Sequence, residues 1–441
     1  MKLKISALLT LALLTLPLSS ALSSDDQGSS HYSIKLKLDP PSQHLKVSMK
    51  LNVVPAETLS DTLVFALHRQ FMKLDVVGDG VESFSFDMDA ESPNMFMPDA
   101  RPLNVVLDKS TARNEPLTLS FDYEGTLTEW SKYSANVVTE DWVELGLYIP
   151  WIPLGKITGL FTFDIEAECD PEYQLRSYGD HRYENGIWYF ERTTPTFDCI
   201  LVASKDLKTL NKKAAGKNVY LHYQALADTT AEKFVGDLSG IFDMFESWYG
   251  GSSKGNDFTL ITSPREMGGG YARGDLITMT WINDEKYVTD RAFLYRYLAH
   301  ETGHFWWGMA EAVSWEDWLN ESFAEYSAQL AVRETLGEDV FESNMEKYRI
   351  AAESTVPIWG FDRTATGESG QQSPVIHTNL YQKGPVLLHK LSERIGIDNF
   401  KSLCKNMVQS KTSTTEAFLL LLESRQGAGV RNWFENLLKT Y

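Results

Sequence analysis

The first half of the chain alternates between apolar and polar residues with a period of two. Segments such as YSIKLKLD, HLKVSMKLNVV and LTLSFDYEGTL place every second side chain on one face, which is typical of half-buried β-strands. Turn residues separate these segments at short intervals, without helical segments between them. The pattern predicts an antiparallel β domain, a sandwich or a saddle-like sheet, over residues 22–204.

The pattern changes after residue 204. Residues 205–218 are polar and basic, and we interpret them as a linker. Residues 227–250 then carry apolar residues at helical spacing, NDFTLITSP and DLITMTWIN have the composition of strands, and most of the chain after Val288 has a helical period. The second half, residues 219–441, is therefore predicted to be an α+β domain.

Composition and charge narrow the possible functions. The chain has 441 residues, of which 43% are hydrophobic and 23% charged, so it is long enough for two or three folded domains of ordinary globular composition. Its formal net charge of -19 repels phosphate. Nucleic acid is therefore not an expected partner.

The N-terminus has the organisation of a secretory signal. A basic start is followed by the mainly apolar residues 5–18, which are too few to span a bilayer, and then by Ser19 and Ala21 at the spacing of a cleavage site. We expect a signal peptide over residues 1–21, export to the periplasm or the cell exterior, and no transmembrane segment in the remainder.

Export would permit a disulfide bond, and the sequence does not decide whether one forms. Cys169 and Cys199 both lie in predicted strands and could meet, but spacing alone does not place their Cα atoms within reach. Cys404 lies in an apolar helical pattern, where a buried free thiol is expected.

Residues 300–308, HETGHFWWG, carry candidate chemistry. His300 and His304 are four residues apart on a helix predicted to begin near Thr289, so their side chains share a face and suit two imidazole ligands of one zinc ion. Glu301 lies beside them, where a carboxylate can act as general base on water. The same motif also occurs on helices that bind no metal.

The next predicted helix, which starts at Ser314, supplies a possible third ligand. Glu321 lies on its first turns, and two histidines with one carboxylate leave an open position, which indicates a catalytic rather than a structural zinc site. Glu325 lies on the same face and is a candidate acceptor for the other ring nitrogen of a ligand histidine. A solvated helix carboxylate explains Glu325 equally well.

HETGHFWWG, WLNESFAEY and LYQKGPVLLHKL, in that order, resemble the gluzincin zinc metallopeptidases of the aminopeptidase N family. WIPLGKITGLFTFDIEAE in the β domain is also similar to a segment of that family. The resemblance implies a multidomain protein with an N-terminal all-β saddle-like sandwich followed by an α+β thermolysin-like metallopeptidase domain. It implies an enzyme that acts on a peptide or protein substrate.

The resemblance also assigns roles to individual residues. It implies one zinc ion per chain, with His300, His304 and Glu321 as its ligands. Glu301 would be the general base, and Tyr381 would stabilise the oxyanion of the tetrahedral intermediate. A core tyrosine is the alternative for Tyr381.

The chain departs from the family pattern in two places. The spacer between His304 and Glu321 is two residues shorter, and the shortening falls in the loop between the helices, where Glu311 and Glu316 are weaker ligand candidates. The second departure lies in GGGYARG, where Tyr271 and Ala272 replace the glutamate and asparagine with which the family's aminopeptidases bind the substrate's amino terminus.

This second departure makes the binding of a free amino terminus doubtful. Arg273 adds positive charge, which is expected to repel an ammonium group. Glu144 is the expected replacement acid, with Glu266 as a second candidate. Close approach of a peptide backbone is still permitted by three glycines, which a flexible turn would explain equally well: Gly268, Gly269 and Gly270.

Three functions therefore remain open besides an aminopeptidase. The same site suits an endopeptidase or a hydrolase of other amide or ester bonds, and a non-catalytic zinc-containing binding protein is the alternative outside enzymes. Turnover of a peptide separates the enzymes from the binding protein, whereas zinc content does not.

Overall fold

The structure is a computed structural model that describes residues 29–55, 58–94, 96–132, 134–251, 257–267, 269–363, 365 and 373–441. The predicted signal peptide lies outside the described residues, and so does Gly268. None of the described helices combines the length and the apolar character that crossing a membrane requires.

The first half is built from strands, as the alternation predicts. In β1, for example, Leu36 and Leu38 are buried while Lys35 and Lys37 are exposed, so the period of two separates a core face from a solvent face. The strands are β1 (Ser30–Asp39), β2 (His44–Val53), β3 (Thr62–His68), β4 (Phe71–Gly78), β5 (Val81–Phe86), β6 (Ala100–Leu107), β7 (Leu117–Thr126), β8 (Val137–Val138), β9 (Val143–Leu145), β10 (Phe161–Cys169), β11 (Gln174–Arg176), β12 (His181–Glu184), β13 (Ile187–Thr196) and β14 (Leu201–Ser204).

These strands form three sheets, in the orders β12-β13-β10-β1-β2-β7-β4, β11-β14-β9-β8 and β3-β6-β5. Their pairing is antiparallel except between β1 and β10, which run parallel. The expected antiparallel arrangement is therefore wrong at this one pair. Alternation within a strand sets which face is buried, but it does not distinguish the direction of a neighbouring strand.

The second half combines one sheet with a set of helices. Its elements are β15 (Lys208–Ala214), β16 (Lys217–Tyr223), α1 (Asp228–Tyr249), β17 (Phe258–Thr262), β18 (Tyr271–Arg273), β19 (Leu276–Met279), α2 (Asp284–Thr289), α3 (Arg291–Gly303), α4 (Trp318–Leu336), α5 (Glu338–Ala352), α6 (Pro374–Thr378), α7 (Gly384–Ile395), α8 (Ile397–Ser410), α9 (Thr415–Gln426) and α10 (Ala428–Thr440). The sheet has the order β15-β16-β17-β19-β18, so β18 lies at its edge.

The predicted linker, residues 205–218, is wrong. Most of this segment forms β15 and the beginning of β16, which pair as an antiparallel hairpin at the edge of the second sheet. Most side chains of β15 are exposed, and lysines are common on edge strands because they discourage further pairing. A solvated edge strand therefore has the same polar composition as a linker.

Two helix boundaries also differ from those expected. The helix that carries the histidines ends at Gly303 rather than Gly308, because the following tryptophans turn into the core: Trp306 donates to the carbonyl of Gly250 at 2.8 Å and Trp307 donates to Ser327 at 3.0 Å. The next helix begins at Trp318, after a single 3₁₀ turn that Ser314 caps.

The described residues form two hydrophobic cores. The first core lies within the β half and also contains Ile261, Tyr271 and Leu276 from the sheet of the second half. The second core contains α1 and the helices that follow it. The edge strand β18 therefore lies where the two halves pack together. All three cysteines are free thiols, so Cys169 and Cys199 are not bridged, and Cys404 is buried as expected.

Candidate metal centre and catalytic site

Helices α3 and α4 bring three predicted ligands together. His300 lies in the last turn of α3, and His304 follows it with φ −65° and ψ −7°, so the two imidazoles remain one turn apart although the helix ends between them. Glu321 lies in the first turn of α4. The helices approach closely at Gly303, where a Cβ would lie 3.2 Å from Cα of Ala324.

The three side chains form a triangle of donor atoms. Nε2 of His300 lies 3.2 Å from Nε2 of His304, and Oε2 of Glu321 lies 3.4 Å and 3.5 Å from these two nitrogens. Ligand atoms at the usual distances from a tetrahedral zinc ion are about 3.3–3.6 Å apart. The donor set and its spacing therefore fit zinc.

The other ring nitrogen of each histidine has a partner that orients the ring. Nδ1 of His304 lies 2.9 Å from the carbonyl oxygen of Trp307, and Nδ1 of His300 lies 3.0 Å from Oε2 of Glu325. A proton on each Nδ1 places on Nε2 the lone pair with which a histidine coordinates a metal. Glu325 is fully buried, so the alternative of a solvated helix carboxylate is wrong.

The charges around the triangle favour a bound cation. Burial alone would lower the pKa of His300, but Glu321 and Glu325 outweigh it and raise this pKa to about 10. Burial alone would raise the pKa of Glu325, but Arg296 and His300 lower it to about 2. Burial would likewise raise the pKa of Glu321, but His304 and His300 outweigh it and hold this pKa well below its usual range. Both acidic side chains are therefore ionised beside a histidine whose surroundings attract positive charge.

Oε2 of Glu301, Oε2 of Glu321 and the hydroxyl of Tyr381 are buried oxygen atoms with no hydrogen-bond partner among the described residues. Nδ1 of His300 also forms no hydrogen bond there, and its contact with Glu325 is an ion pair. Glu301 is only 3% exposed, and burial raises the pKa of its carboxyl group. Buried polar atoms are nearly always paired, so unpaired ones beside a ligand set indicate where a metal, water or substrate binds.

Tyr381 lies on a single π-helical turn, Asn379–Lys383, between α6 and α7. Its ring packs 5.4 Å from the ring of His300. Ser322 donates to the carbonyl of Leu380 at 2.7 Å, and a Cβ on Gly384 would lie 1.8 Å from the Ser322 oxygen. The glycine thus lets this turn press against α4 beside Glu321, and π turns are frequent at functional sites.

Gly270 has a packing role and Gly269 a conformational one, so a flexible turn does not explain these two glycines. A Cβ on Gly270 would lie 2.1 Å from the hydroxyl of Tyr297 and 2.8 Å from the carbonyl oxygen of Thr278. Gly269 has φ +61°, a conformation that favours glycine. The backbone of this segment therefore lies close to α3, one turn before His300.

The positive charge expected to repel a substrate amine is neutralised. Arg273 is fully buried, and its Nε donates to Asp198 at 2.8 Å. The same guanidinium packs over the ring of Tyr271. The argument from an unpaired charge at Arg273 is therefore wrong, because the partner comes from the β half of the chain.

Glu144 is also fully buried, and its carboxylate is saturated. Arg265 donates to both of its oxygens, at 2.8 Å and 3.1 Å. The remaining donors are Ser263 at 2.6 Å, Tyr271 at 2.9 Å and Trp142 at 2.9 Å. Glu144 thus has a structural set of partners instead of the free carboxylate that a substrate amine would need.

Sequence reasoning did not identify Arg265. Its guanidinium also donates to the carbonyl oxygens of Met267 and Gly269, and so ties the glycine segment to the β half. An arginine before a glycine run has no local signature of such a role. Glu266, the second candidate acid, is exposed, and its backbone carbonyl accepts from Trp281.

Comparison with known families identifies the second half of the chain. Residues 274–436 match the model of the Peptidase family M1 domain. This range contains every candidate ligand and catalytic residue, from His300 to Tyr381, whereas Glu144 and the glycine segment lie outside it.

Curated relatives are more distant and longer. Glutamyl aminopeptidase from Bos taurus is 24% identical over 221 residues, which are 46% of this chain and 22% of the relative. Endoplasmic reticulum aminopeptidase 2 from Bos taurus is 26% identical over 122 residues, which are 26% of this chain and 12% of the relative. The matched part is thus less than a quarter of these relatives' length.

Solved structures match the whole fold. The M1 zinc metallopeptidase from Deinococcus radiodurans superimposes with a TM-score of 0.68 at 17% identity, over 94% of this chain and 95% of that one. A variant of that protein bound to a Tyr-Ser-Ala substrate gives 0.67 at 17% identity, over 93% of each chain. The chain therefore contains a Peptidase family M1 domain at residues 274–436, and its two-domain fold is that of the M1 zinc metallopeptidase on which it superimposes.

Proposed function

We propose that this protein is an exported zinc peptidase that hydrolyses peptide bonds without requiring a free amino terminus. The triangle of His300, His304 and Glu321, with unpaired buried atoms beside it, carries the proposal. Zinc held by these three side chains would supply a Lewis acid that polarises a peptide carbonyl and makes water more acidic.

The chain's own residues would perform the proton transfers. Glu301 takes a proton from the attacking water and passes it to the leaving amine, a role that suits a carboxyl group whose pKa burial raises. The hydroxyl of Tyr381 donates to the oxygen of the peptide carbonyl as negative charge develops there. A binding protein would not need a base at position 301.

The state of Glu144 favours an alternative to a strict aminopeptidase. Five hydrogen bonds already occupy its carboxylate, so it has no free oxygen for the ammonium group of a substrate. A peptide with a blocked amino terminus should therefore bind about as well as a free one. Internal bonds also become accessible substrates, because Glu144 does not fix the distance from the amino terminus to the cleaved bond.

A peptide-library digest read by mass spectrometry tests this proposal. Each peptide is supplied in a free and an N-acetylated form at the same concentration, and the Glu301→Gln variant serves as the inactive control. We expect cleavage of both forms. Loss of all cleavage on acetylation would make the enzyme a strict aminopeptidase, and absence of cleavage by the zinc-loaded protein would make it a binding protein.

Export is a separate part of the proposal and depends on the predicted signal peptide at residues 1–21. Expression of the full chain in a bacterial host with fractionation of the cells tests it. We expect the mature protein outside the cytoplasm, with an N-terminus that begins after Ala21. An uncleaved protein in the cytoplasm would contradict it.

A further inference from the structure

Glu325 is the centre of a buried hydrogen-bond network that three helices build. It lies on α4 and is fully buried. Arg296, which lies one turn before His300 on α3, donates through Nη1 to both carboxylate oxygens, at 2.9 Å and 2.8 Å. Tyr348 on α5 donates to Oε1 at 2.5 Å, and Gln329 donates to the same oxygen at 3.0 Å.

The donors are distributed unevenly between the two oxygens. Oε1 accepts from Arg296, Tyr348 and Gln329, whereas Oε2 is contacted only by Arg296 among these donors and lies 3.0 Å from Nδ1 of His300. Three donors on one oxygen fix the plane of the carboxylate. The second oxygen is thereby held toward the imidazole.

The network is itself held in place. Gln329 donates to the hydroxyl of Tyr348 at 3.0 Å, and Asn344 donates to the side-chain oxygen of Gln329 at 3.2 Å. A buried carboxylate without a counter-charge is unstable, and Arg296 supplies that charge from the same helix as the ligand histidine. Rotation of Glu325 would therefore break contacts on three helices at once.

We propose that Arg296 and Tyr348 are positioning residues, which fix Glu325 so that its Oε2 holds His300 with Nε2 directed at the metal. The inference rests on the proposed function, because it requires that the triangle of His300, His304 and Glu321 binds zinc. Partners one step removed from a metal typically change its affinity by about 10- to 100-fold when they are lost. Arg296 should have the larger effect, since its loss removes two hydrogen bonds and the charge.

The test measures the zinc dissociation constant of the full chain by competition with a chromogenic chelator. Arg296→Met should bind zinc about 10-fold more weakly, at the lower end of that range because Arg296 acts through Glu325, and Tyr348→Phe should shift the constant in the same direction by less. Arg291→Met is the matched control: Arg291 lies on the same helix and pairs with Asp237 at 2.7 Å, without a contact to Glu325. Zinc affinity in this control should equal that of the wild type.

A spectroscopic measurement separates positioning from a general loss of stability. The visible bands of the Co²⁺-loaded protein report the geometry of the ligands, and they should move in Arg296→Met and Tyr348→Phe but not in Arg291→Met. Arg296→Lys should recover part of the zinc affinity because it restores the charge. If Arg296→Met does not fold, Tyr348→Phe decides, because it removes only a hydroxyl group.

The outcomes distinguish the positioning role of Arg296 and Tyr348 from the zinc site itself. Suppose that the wild type binds one zinc ion, and that Tyr348→Phe and Arg296→Met keep its zinc dissociation constant and its Co²⁺ bands. That result would overturn the positioning role and leave the proposed function intact. A wild type that binds no zinc would overturn the proposed function and this inference with it.

Discussion

Glu321 and Glu144 are both carboxylates that the fold buries almost completely, at 1% and 0% exposure, yet their surroundings differ. Glu144 accepts five hydrogen bonds and faces an arginine. Glu321 lies beside two histidines and keeps an oxygen without a hydrogen-bond partner among the described residues.

The difference shows how to distinguish a ligand from a structural acid. A carboxylate whose hydrogen-bonding capacity is filled by the protein stabilises the fold and is not available to a substrate. One that is buried and left incomplete needs a partner that the chain does not supply. Burial alone does not separate the two, because both values are close to zero.

The strongest test of this comparison removes a ligand. His304→Ala should lower zinc affinity by more than the roughly 100-fold that loss of an outer partner costs, because one of three protein ligands is gone. Zinc content after dialysis, measured by atomic emission, checks it. Full zinc occupancy in this variant would show that the triangle is not the metal site.

The next effect in size concerns the base. Glu301→Gln should lower kcat by about 100- to 10,000-fold, because an amide cannot accept the proton. Zinc content should stay at the wild-type value, since Glu301 is not a ligand. Steady-state kinetics with a fluorogenic peptide measures the loss of kcat. A wild-type kcat in this variant would show that Glu301 is not the general base.

Glu144 should affect stability more than binding. Glu144→Ala leaves Arg265 buried without its counter-charge, which is expected to lower the free energy of unfolding by about 3–5 kcal/mol. Glu266→Ala, at an exposed position of the same segment, should change it by less than about 0.5 kcal/mol. Urea unfolding measures the free energy of unfolding of both variants. Equal values for Glu144→Ala and Glu266→Ala would refute the structural role of Glu144.

The smallest effect is expected for the oxyanion donor. Tyr381→Phe should lower kcat by a factor that corresponds to about 2.7–4 kcal/mol of transition-state stabilisation, with little change in KM. A variant with full kcat would make Tyr381 a core residue. Gly384→Ala is a second variant for the same test, because its Cβ would displace the π-helical turn that carries Tyr381 from Ser322.

The metal ligands and the base could be predicted from the sequence, whereas the surroundings of Glu144 could not. The ligand set and the base lie within one motif and the helix that follows it, so local spacing was enough to suggest them, and the structure brings the three ligand side chains together. The environment of Glu144 could not be predicted. Its main partner, Arg265, is 121 residues away in the chain and comes from the other half of the molecule.

The fold divides in the same way. Alternation predicted the β half, and helical spacing predicted most of the second half. The composition of residues 205–218 predicts a linker where β15 and the beginning of β16 lie, because a solvated edge strand has few apolar residues to reveal its period. The sequence predicts a helix that continues past Gly303, because local helix propensity carries no information about the tertiary contact between Trp306 and Gly250.

The sequence by itself determined the order of the two halves, the periodicity of their elements and the side chains that can bind a metal, because these depend on residues a few positions apart. Only the tertiary structure decided which buried acids are free and which are saturated. The networks around Glu144 and Glu325 join distant strands or separate helices, and their hydrogen bonds exist only once those elements have packed. A carboxylate therefore acquires its role from the donors that packing places around it.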